Sequence, residues 1–461
     1  MRAPSGGANV LHGWLPAALP AEARRFRSAD RQLAETLADA GAELVDRSPD
    51  VEIADARDVR GDARQAIVCI DEAQPEGGSL LVRAPRRALA SGMTRLRAAG
   101  ARRAIRRRGY PDAQTLMWDL EHFVWLPGVR VRLRGHTVAE MLPQRAVVVG
   151  RRDGSEPTLL DAVVAEAGSL IGGGLRHGWP LARAAMMVVV GEQAVLRLSV
   201  GRGRAKLERQ RAALDALHAT GPEPVIADRL PWALGQGRTG LADWSLDKKL
   251  AGVTAGARLP PSLLTDCVDF LVALHRAGQR PPDKRSIAST AEIVAAVATR
   301  DGDAQRLRAL GAALEERLRD VPRGYGHGDF WTRNLLVAGD RLTGVIDWDG
   351  AGSDCLPLVD LLHLRLSARR EQTREYLGAA LVSHLLPWAK AGGDDIARGY
   401  AQRIGLRLEP DLLEAIVVAY WLARLAFEIE MFSDRVRRPV WLRGNVDAVV
   451  DVVSHGSHPR R

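Results

Sequence analysis

Apolar and polar positions change their spacing along the chain, and each spacing predicts a different element. Short runs rich in Val, Ile and Leu fall at Gln65–Ile70 (QAIVCI) and Ser79–Arg83 (SLLVR). Runs of this length between turn residues predict strands, and PEGG before the second run is such a boundary. From Pro85 to Ala99 the apolar positions Leu89, Met93 and Leu96 recur at helical spacing, with Gly100 as the expected C-cap. Alternation of this kind over residues 41–126 predicts a small α/β unit.

A second region follows an expected linker at Pro127–His136. Arg145–Gly150 (RAVVVG), Met186–Val190 (MMVVV), Ala194–Leu198 (AVLRL) and Trp244–Leu250 (WSLDKKL) predict strands. Arg204–His218 predicts a helix with Leu207, Leu214 and Leu217 as its apolar positions. From Pro261 the pattern is mostly helical, as in PSLLTDCVDFLVALHRAG, EAIVVAYWLARLAFEIEMF and NVDAVVDVV. A strand-rich part followed by a helical part predicts two lobes with a cleft between them.

Composition narrows the class. The 461 residues are 46% hydrophobic and 26% charged, which excludes general disorder and leaves room for two to three domains of roughly 150 residues. Cys69, Cys267 and Cys355 are far apart with no CxxC, which excludes a disulfide scaffold and a cysteine-rich zinc module. The net charge of +9 first suggests a nucleic-acid or membrane partner. However, Arg83–Arg108 holds ten arginines and no acid, so the remaining chain is close to neutral. That stretch reads as a solvated face, with a patch for an anionic partner as the alternative. No aromatic residue interleaves the arginines before Tyr110, so a base-stacking nucleic-acid platform is not indicated. No apolar run approaches 18 residues and no signal core is visible. The expectation is a soluble cytoplasmic protein without a membrane partner.

The chemistry concentrates in GYGHGDFWTRNLLV and TGVIDWDGAG, which hold His327, Asp329, Asn334, Asp347 and Asp349. LLV and TGVI flank the turn AGDRL and predict a hairpin. Asn334 then enters one strand and Asp347 leaves its partner, on the same side. An amide oxygen and a carboxylate there form a hard-oxygen site suited to magnesium and phosphates. Asp329, on the loop just before, can accept a proton from an attacking hydroxyl.

HGDFWTRN and IDWD resemble the catalytic loop and metal-binding segment of the aminoglycoside phosphotransferase and choline kinase family. The resemblance implies an α+β, protein-kinase-like two-lobed fold with a small β-rich lobe and a large helical lobe. It implies ATP and Mg2+ as cofactors and a small-molecule hydroxyl as substrate. Asp329 becomes the catalytic base, and Asn334 and Asp347 the magnesium ligands. His327 is expected to brace the loop, and Asp360 to fix its backbone. Arg197 stands where a phosphate-binding lysine is usual, and Glu208 is its expected partner. The family's usual acid position falls on Gln210, a departure like Arg197 itself. The backbone near Leu250 and Ala251 is expected to meet the adenine. The late helices, with Trp421, Glu428, Glu430 and Trp441, are expected on the substrate side. A non-catalytic kinase-like module and a protein kinase are the rival readings.

Gly235-Gln-Gly237-Arg-Thr-Gly240 fits G-x-G-x-x-G but follows the Arg197 strand, so it reads as a turn. Gly172-Gly173-Gly174 precedes that strand and is the candidate for a flexible loop over phosphates. PEGGSLLV, the helix after it and RAAGARRAIRRRGYP resemble the closing half of a Rossmann-type methyltransferase. No G-x-G cofactor turn precedes it. The expected organisation is a truncated, non-catalytic α/β domain at 1–130, a kinase-like N-lobe at 140–252 and a helical C-lobe at 253–461.

Overall fold

The computed structural model describes residues 15–55, 58–71, 80–119, 132–133, 136–137, 143–152, 156–172, 175, 179–183, 186–201, 203–278, 287–373, 375–431 and 439–455. The chain divides into two compact units, Met1–Glu208 with Trp232–Lys249, and Arg209–Pro231 with Leu250–Arg461. PEGG, Gly173, Gly174 and most of the expected linker lie outside the described residues.

In the first unit, β1 (Arg25–Ser28), β2 (Glu43–Leu44), β3 (Val51–Ile53), β4 (Gln65–Asp71) and β5 (Asp112–Asp119) belong to one sheet; β6 (Arg132–Leu133) and β7 (His136–Thr137) pair only with each other. β8 (Pro143–Arg151) completes the first sheet, in the order β2-β1-β3-β4-β8-β5. β1 to β4 are parallel, and β8 lies antiparallel between β4 and β5. The run RAVVVG, expected in the second region, is therefore an interior strand of this N-terminal sheet. Helix α1 (Arg31–Asp39) begins at Asp30, whose side chain accepts from the Leu33 N–H at 3.0 Å. That cap supplies one of the helix's unsatisfied donors with an oxygen.

SLLVR is not a strand. Leu80 to Arg83 open helix α2 (Leu80–Arg107). A short apolar run does not by itself separate strand from buried helix. The helix continues through Gly100 and ends before Gly109, which has φ +90°. Its buried face is Thr94, Ala98, Ala101 and Ile105, whereas Met93 and Leu96 are exposed. Small residues win that face because the helix packs close to β8: a Cβ at Gly150 would lie 2.7 Å from Ile105 Cδ1. Arg95, Arg97, Arg103, Arg106, Arg107 and Arg108 are exposed, a solvated face of the helix and the turn after it.

The second sheet is antiparallel throughout. It comprises β9 (Trp179–Arg183), β10 (Met186–Val190), β11 (Ala194–Val200), β12 (Ala233–Thr239) and β13 (Ala242–Lys248), in the order β12-β13-β11-β10-β9. Helix α3 (Leu159–Ser169) starts with a capping box between Thr158 and Asp161. Phe26, Leu37, Val149, Val163, Leu196 and Leu246 are buried in one cluster, so both sheets share a core. GQGRTG, expected as a turn, is the edge strand β12 plus the hairpin glycine Gly240 (φ +58°). Its glycines serve packing: a Cβ at Gly237 would lie 2.7 Å from Trp244 Cζ2. Helix α4 (Arg204–Ala219) follows β11 and buries Leu207, Leu214 and Leu217 as expected.

The second unit is helix-rich. β14 (Val253–Thr254) pairs with β16 (Leu335–Ala338), which forms the expected hairpin with β17 (Arg341–Val345). β15 (Gly324–Gly326) pairs with β18 (Gly352–Cys355). Its helices include α5 (Pro261–Ala277), α6 (Val359–Thr373) and α7 (Pro410–Met431). Asp266 on α5 takes Arg341 through two bonds of 2.7 and 2.8 Å and the Leu342 N–H at 3.0 Å, which ties the hairpin to the helix. Phe270, Phe330 and Trp348 are buried in the core, with Phe270 and Phe330 stacked at 5.9 Å. Among the described residues no helix is long and apolar enough to cross a membrane.

Candidate active site

The second unit builds a rigid loop at His327-Gly328-Asp329. Buried Asp360, in the first turn of α6, accepts the His327 N–H at 2.6 Å and the Gly328 N–H at 3.0 Å. His327 is fully buried. Its Nδ1 accepts the Asp329 N–H at 3.2 Å, and its Nε2 faces the Ile346 carbonyl at 3.0 Å. This pattern requires the tautomer with the proton on Nε2. One side chain thus joins the loop to the end of β17, the bracing role expected of His327. Gly328 has φ +78°, and a Cβ there would collide with the Gly350 carbonyl oxygen. Glycine is required by both the backbone conformation and the close approach.

Asp329 is enclosed by polar groups. Its Oδ1 lies 2.8 Å from Arg424 Nη1 on α7 and 3.2 Å from His363 Nε2 on α6. Its Oδ2 accepts Asn334 Nδ2 at 3.2 Å, and its carbonyl accepts the same amide at 2.9 Å. Burial pushes the Asp329 carboxyl up, but the His363 hydrogen bond and the Arg424 charge outweigh it and hold the group well below its usual range. His363 is buried, and this lowers its pKa to about 4, assisted by Arg424. It is neutral near pH 7. Nε2–H then donates to Asp329, and Nδ1 accepts the Tyr420 hydroxyl at 3.0 Å. Burial raises the Tyr420 pKa, which keeps that hydroxyl a donor.

Asn334 and Asp347 occupy adjacent ends of the hairpin. The Ile346 N–H donates to the Asn334 carbonyl at 2.9 Å, and Asp347 is the next residue. Asp347 has φ +69°, a left-handed conformation that Asp tolerates better than most side chains. The Asn334 amide nitrogen is committed to Asp329, which leaves its Oδ1 as an acceptor. With Asp347 it presents oxygen donors, a set that fits magnesium. Asp349 lies 3.9 Å from Arg209. Among the described residues no three His, Cys, Asp or Glu side chains cluster as a metal site. Carboxylate, amide, phosphate and water oxygens do not require such a cluster.

Arg197 lies in the first unit. Its partner is Asp247 on β13, at 2.6 Å, with both side chains buried. Glu208 is not that partner: it is exposed and pairs with Arg204 one helical turn away, at 2.7 Å. The geometry is local to the sheet. Arg197 faces Ser245 across β11 and β13, so Asp247 is its diagonal neighbour on the same face. Gln210 is buried, and its Oε1 has no hydrogen-bond partner among the described residues. The Ala251 carbonyl accepts the Thr343 hydroxyl at 2.6 Å, and Leu250 packs where Gly344 leaves room. Trp421 and Trp441 are buried packing residues, and Trp421 Nε1 donates to the Asn445 carbonyl at 2.9 Å.

Three residues escaped the sequence: His363, Tyr420 and Arg424. His363 follows Asp360 by three positions and therefore shares its helix face. Arg424 is the lone cation in the apolar run AIVVAYWLARLAF, with Tyr420 one turn before it. A single charge in a core-length apolar stretch was the available signal.

Residues 184–396 match the model of the APH family, the phosphotransferase enzyme family. That range covers just under half of the chain and includes the His327–Asp329 loop and the β16–β17 hairpin. No curated protein matches the chain in sequence. Among solved structures, the chain is similar to aminoglycoside phosphotransferase APH(3'')-Id from Streptomyces rimosus, with 18% identity, TM-score 0.37, and 57% of this chain and 98% of that one covered. It is similar to a thermostable mutant of aminoglycoside phosphotransferase APH(4)-Ia solved with ADP and hygromycin B, with 17% identity, TM-score 0.43, and 65% and 100% covered. A choline/ethanolamine kinase family protein from Mesorhizobium loti has 14% identity, TM-score 0.42, and 65% and 95% covered. The matched module excludes the N-terminal sheet and helix α7, which carries Tyr420 and Arg424.

Proposed function

We propose that this chain transfers the γ-phosphoryl group of ATP to a hydroxyl of a small molecule, a sugar, amino sugar or amino alcohol. The observation that carries the reading is Asp329, an ionised carboxylate on a loop fixed by Asp360 and His327 and flanked by Asn334 and Asp347. In the reaction the acceptor oxygen bonds to the γ-phosphorus as the bridging bond to the β-phosphate breaks. The hydroxyl proton passes to Asp329, and ADP leaves. Asn334 and Asp347 would hold Mg2+, which supplies neutralising charge to the phosphates. Arg197 is read as a phosphate contact, and the backbone of Leu250 and Ala251 as the adenine contact.

The purified full chain, with ATP, magnesium and a panel of hydroxyl acceptors, tests this by phosphoester formation. Asp329→Asn should lower kcat by about a hundredfold or more. Equal rates in wild type and variant would remove the reading. One observation favours the rival, a non-catalytic module: the ion pair between Arg424 and Asp329 occupies the base. The same assay separates the two.

The N-terminal sheet is read as a non-catalytic α/β domain; SLLVR, the strand that its methyltransferase-like resemblance needs, opens helix α2 instead. The connection from β1 to α1 is Ala29-Asp30, without the glycines that a dinucleotide turn needs.

A further inference from the structure

Arg424 raises a problem for any simple acceptor. Its Nη1 holds the Oδ1 of the proposed base at 2.8 Å, and its guanidinium carbon lies 4.9 Å from the centre of the Phe427 ring. Its Nε is buried without a hydrogen-bond partner among the described residues. A guanidinium has five N–H donors in a planar fork that matches a carboxylate or phosphate. Only one of them is engaged among the described residues, and on the catalytic carboxylate itself.

Glu428, one turn beyond Arg424, makes no ion pair with it. Arg370, on α6, acts electrostatically on His363 and Tyr420, and Glu428 acts on Tyr420 in the opposite sense. A cationic acceptor would meet Arg424 as a like charge. A neutral acceptor could donate to Oδ2, which accepts only Asn334 among the described residues, but it would leave the guanidinium's remaining donors unmet. An acceptor with its own carboxylate or phosphate avoids both losses: the anion takes the remaining donors of the fork while its hydroxyl reaches Asp329.

We infer that Arg424 is an acceptor-specificity residue, and that the acceptor is an anionic hydroxyl compound such as a sugar acid, hydroxy acid or sugar phosphate. This rests on the phosphotransferase reading and names the substrate class within it. Arg424 lies outside the matched module, so the inference comes from this chain's own helix α7.

The test uses the full chain with ATP and magnesium and matched acceptor pairs: glycerate against glycerol, and gluconate and glucose 6-phosphate against glucose, with choline as the cation. Expected is a kcat/KM preference of about thirtyfold or more for the anionic member, the size of a lost hydrogen bond to a charged group. Arg424→Gln should reduce that ratio to within about threefold, mainly through KM, and Arg424→Lys should restore part of it. Circular dichroism and the melting midpoint of each variant confirm the fold. Phosphorylation without a charge preference, or with the same ratio in Arg424→Gln, overturns the inference and leaves the phosphotransferase reading standing. Equal stimulation of every acceptor by Arg424→Gln also overturns it, and identifies the ion pair as a general latch. Phosphorylation of no acceptor by the wild type overturns both.

Discussion

Arg197 and Asp247 form a buried ion pair across two neighbouring strands, 2.6 Å apart. Breaking such a pair leaves one charge buried without its partner, which costs about 3–5 kcal/mol. Asp247→Ala should therefore lower unfolding free energy by about that amount in urea titration. Arg197→Lys should keep the ion pair and most activity, whereas Arg197→Ala should lose both. Glu208→Gln breaks only an exposed pair, and its effect on stability should stay within about 0.5 kcal/mol. A larger effect of Glu208→Gln than of Asp247→Ala would restore Glu208 as the partner.

The pair also shows where sequence reading stopped. AVLRL and WSLDKKL were legible as strands because apolar residues repeat in them at strand spacing. Their register was not legible, and register alone makes Asp247 the diagonal neighbour of Arg197. The hairpin and the meeting of Asn334 with Asp347 at its ends were legible because local spacing fixes which ends meet. His363 and Arg424 reach Asp329 only through the packing of α6 and α7, from 34 and 95 positions away in the sequence. SLLVR failed for a different reason: three apolar residues fit a strand and the first turn of a helix equally well. The order of the N-terminal sheet was likewise out of reach, because β8 enters it antiparallel after a long excursion.

Gly328 and Gly339 separate backbone strain from close contact. Both have positive φ, +78° and +60°. A Cβ at Gly339 meets nothing within 4 Å, so Gly339→Ala should cost only about 1 kcal/mol. A Cβ at Gly328 meets the Gly350 carbonyl, and the loop must move. Gly328→Ala should cost at least about 2 kcal/mol and abolish turnover. Denaturant curves and initial rates measured on both variants check this. Equal costs would mean that the approach to Gly350 does not constrain the loop.

Acid should destabilise the protein through two buried histidines. Burial lowers His275 and His363 from 6.5 to about 4. Between those values the unfolded chain binds more protons than the folded one, so stability rises with pH across the window. Their contribution is complete above pH 6.5 and is lost as pH falls towards about 4. His363→Gln should flatten the melting midpoint's dependence on pH over that range, leaving the part due to His275. An unchanged slope would show that His363 is not held neutral.

Asp360 should resist even its closest replacement. Its two oxygens each accept one backbone N–H, from His327 and Gly328. Asn offers one oxygen and turns an NH2 group towards the other donor, so Asp360→Asn leaves one buried N–H facing a donor. The cost should be about 1–3 kcal/mol, with kcat reduced because Asp329 rides on the same loop. The pH profile gives an independent check. Burial outweighs these two hydrogen bonds and raises the Asp360 pKa above the usual 3.8. The folded state then binds the proton more tightly, so this group's contribution falls as pH rises from 3.8 through the raised value. Asp360→Asn should remove that component while lowering stability at every pH. A variant as stable and as active as wild type would show that the loop is held by other contacts.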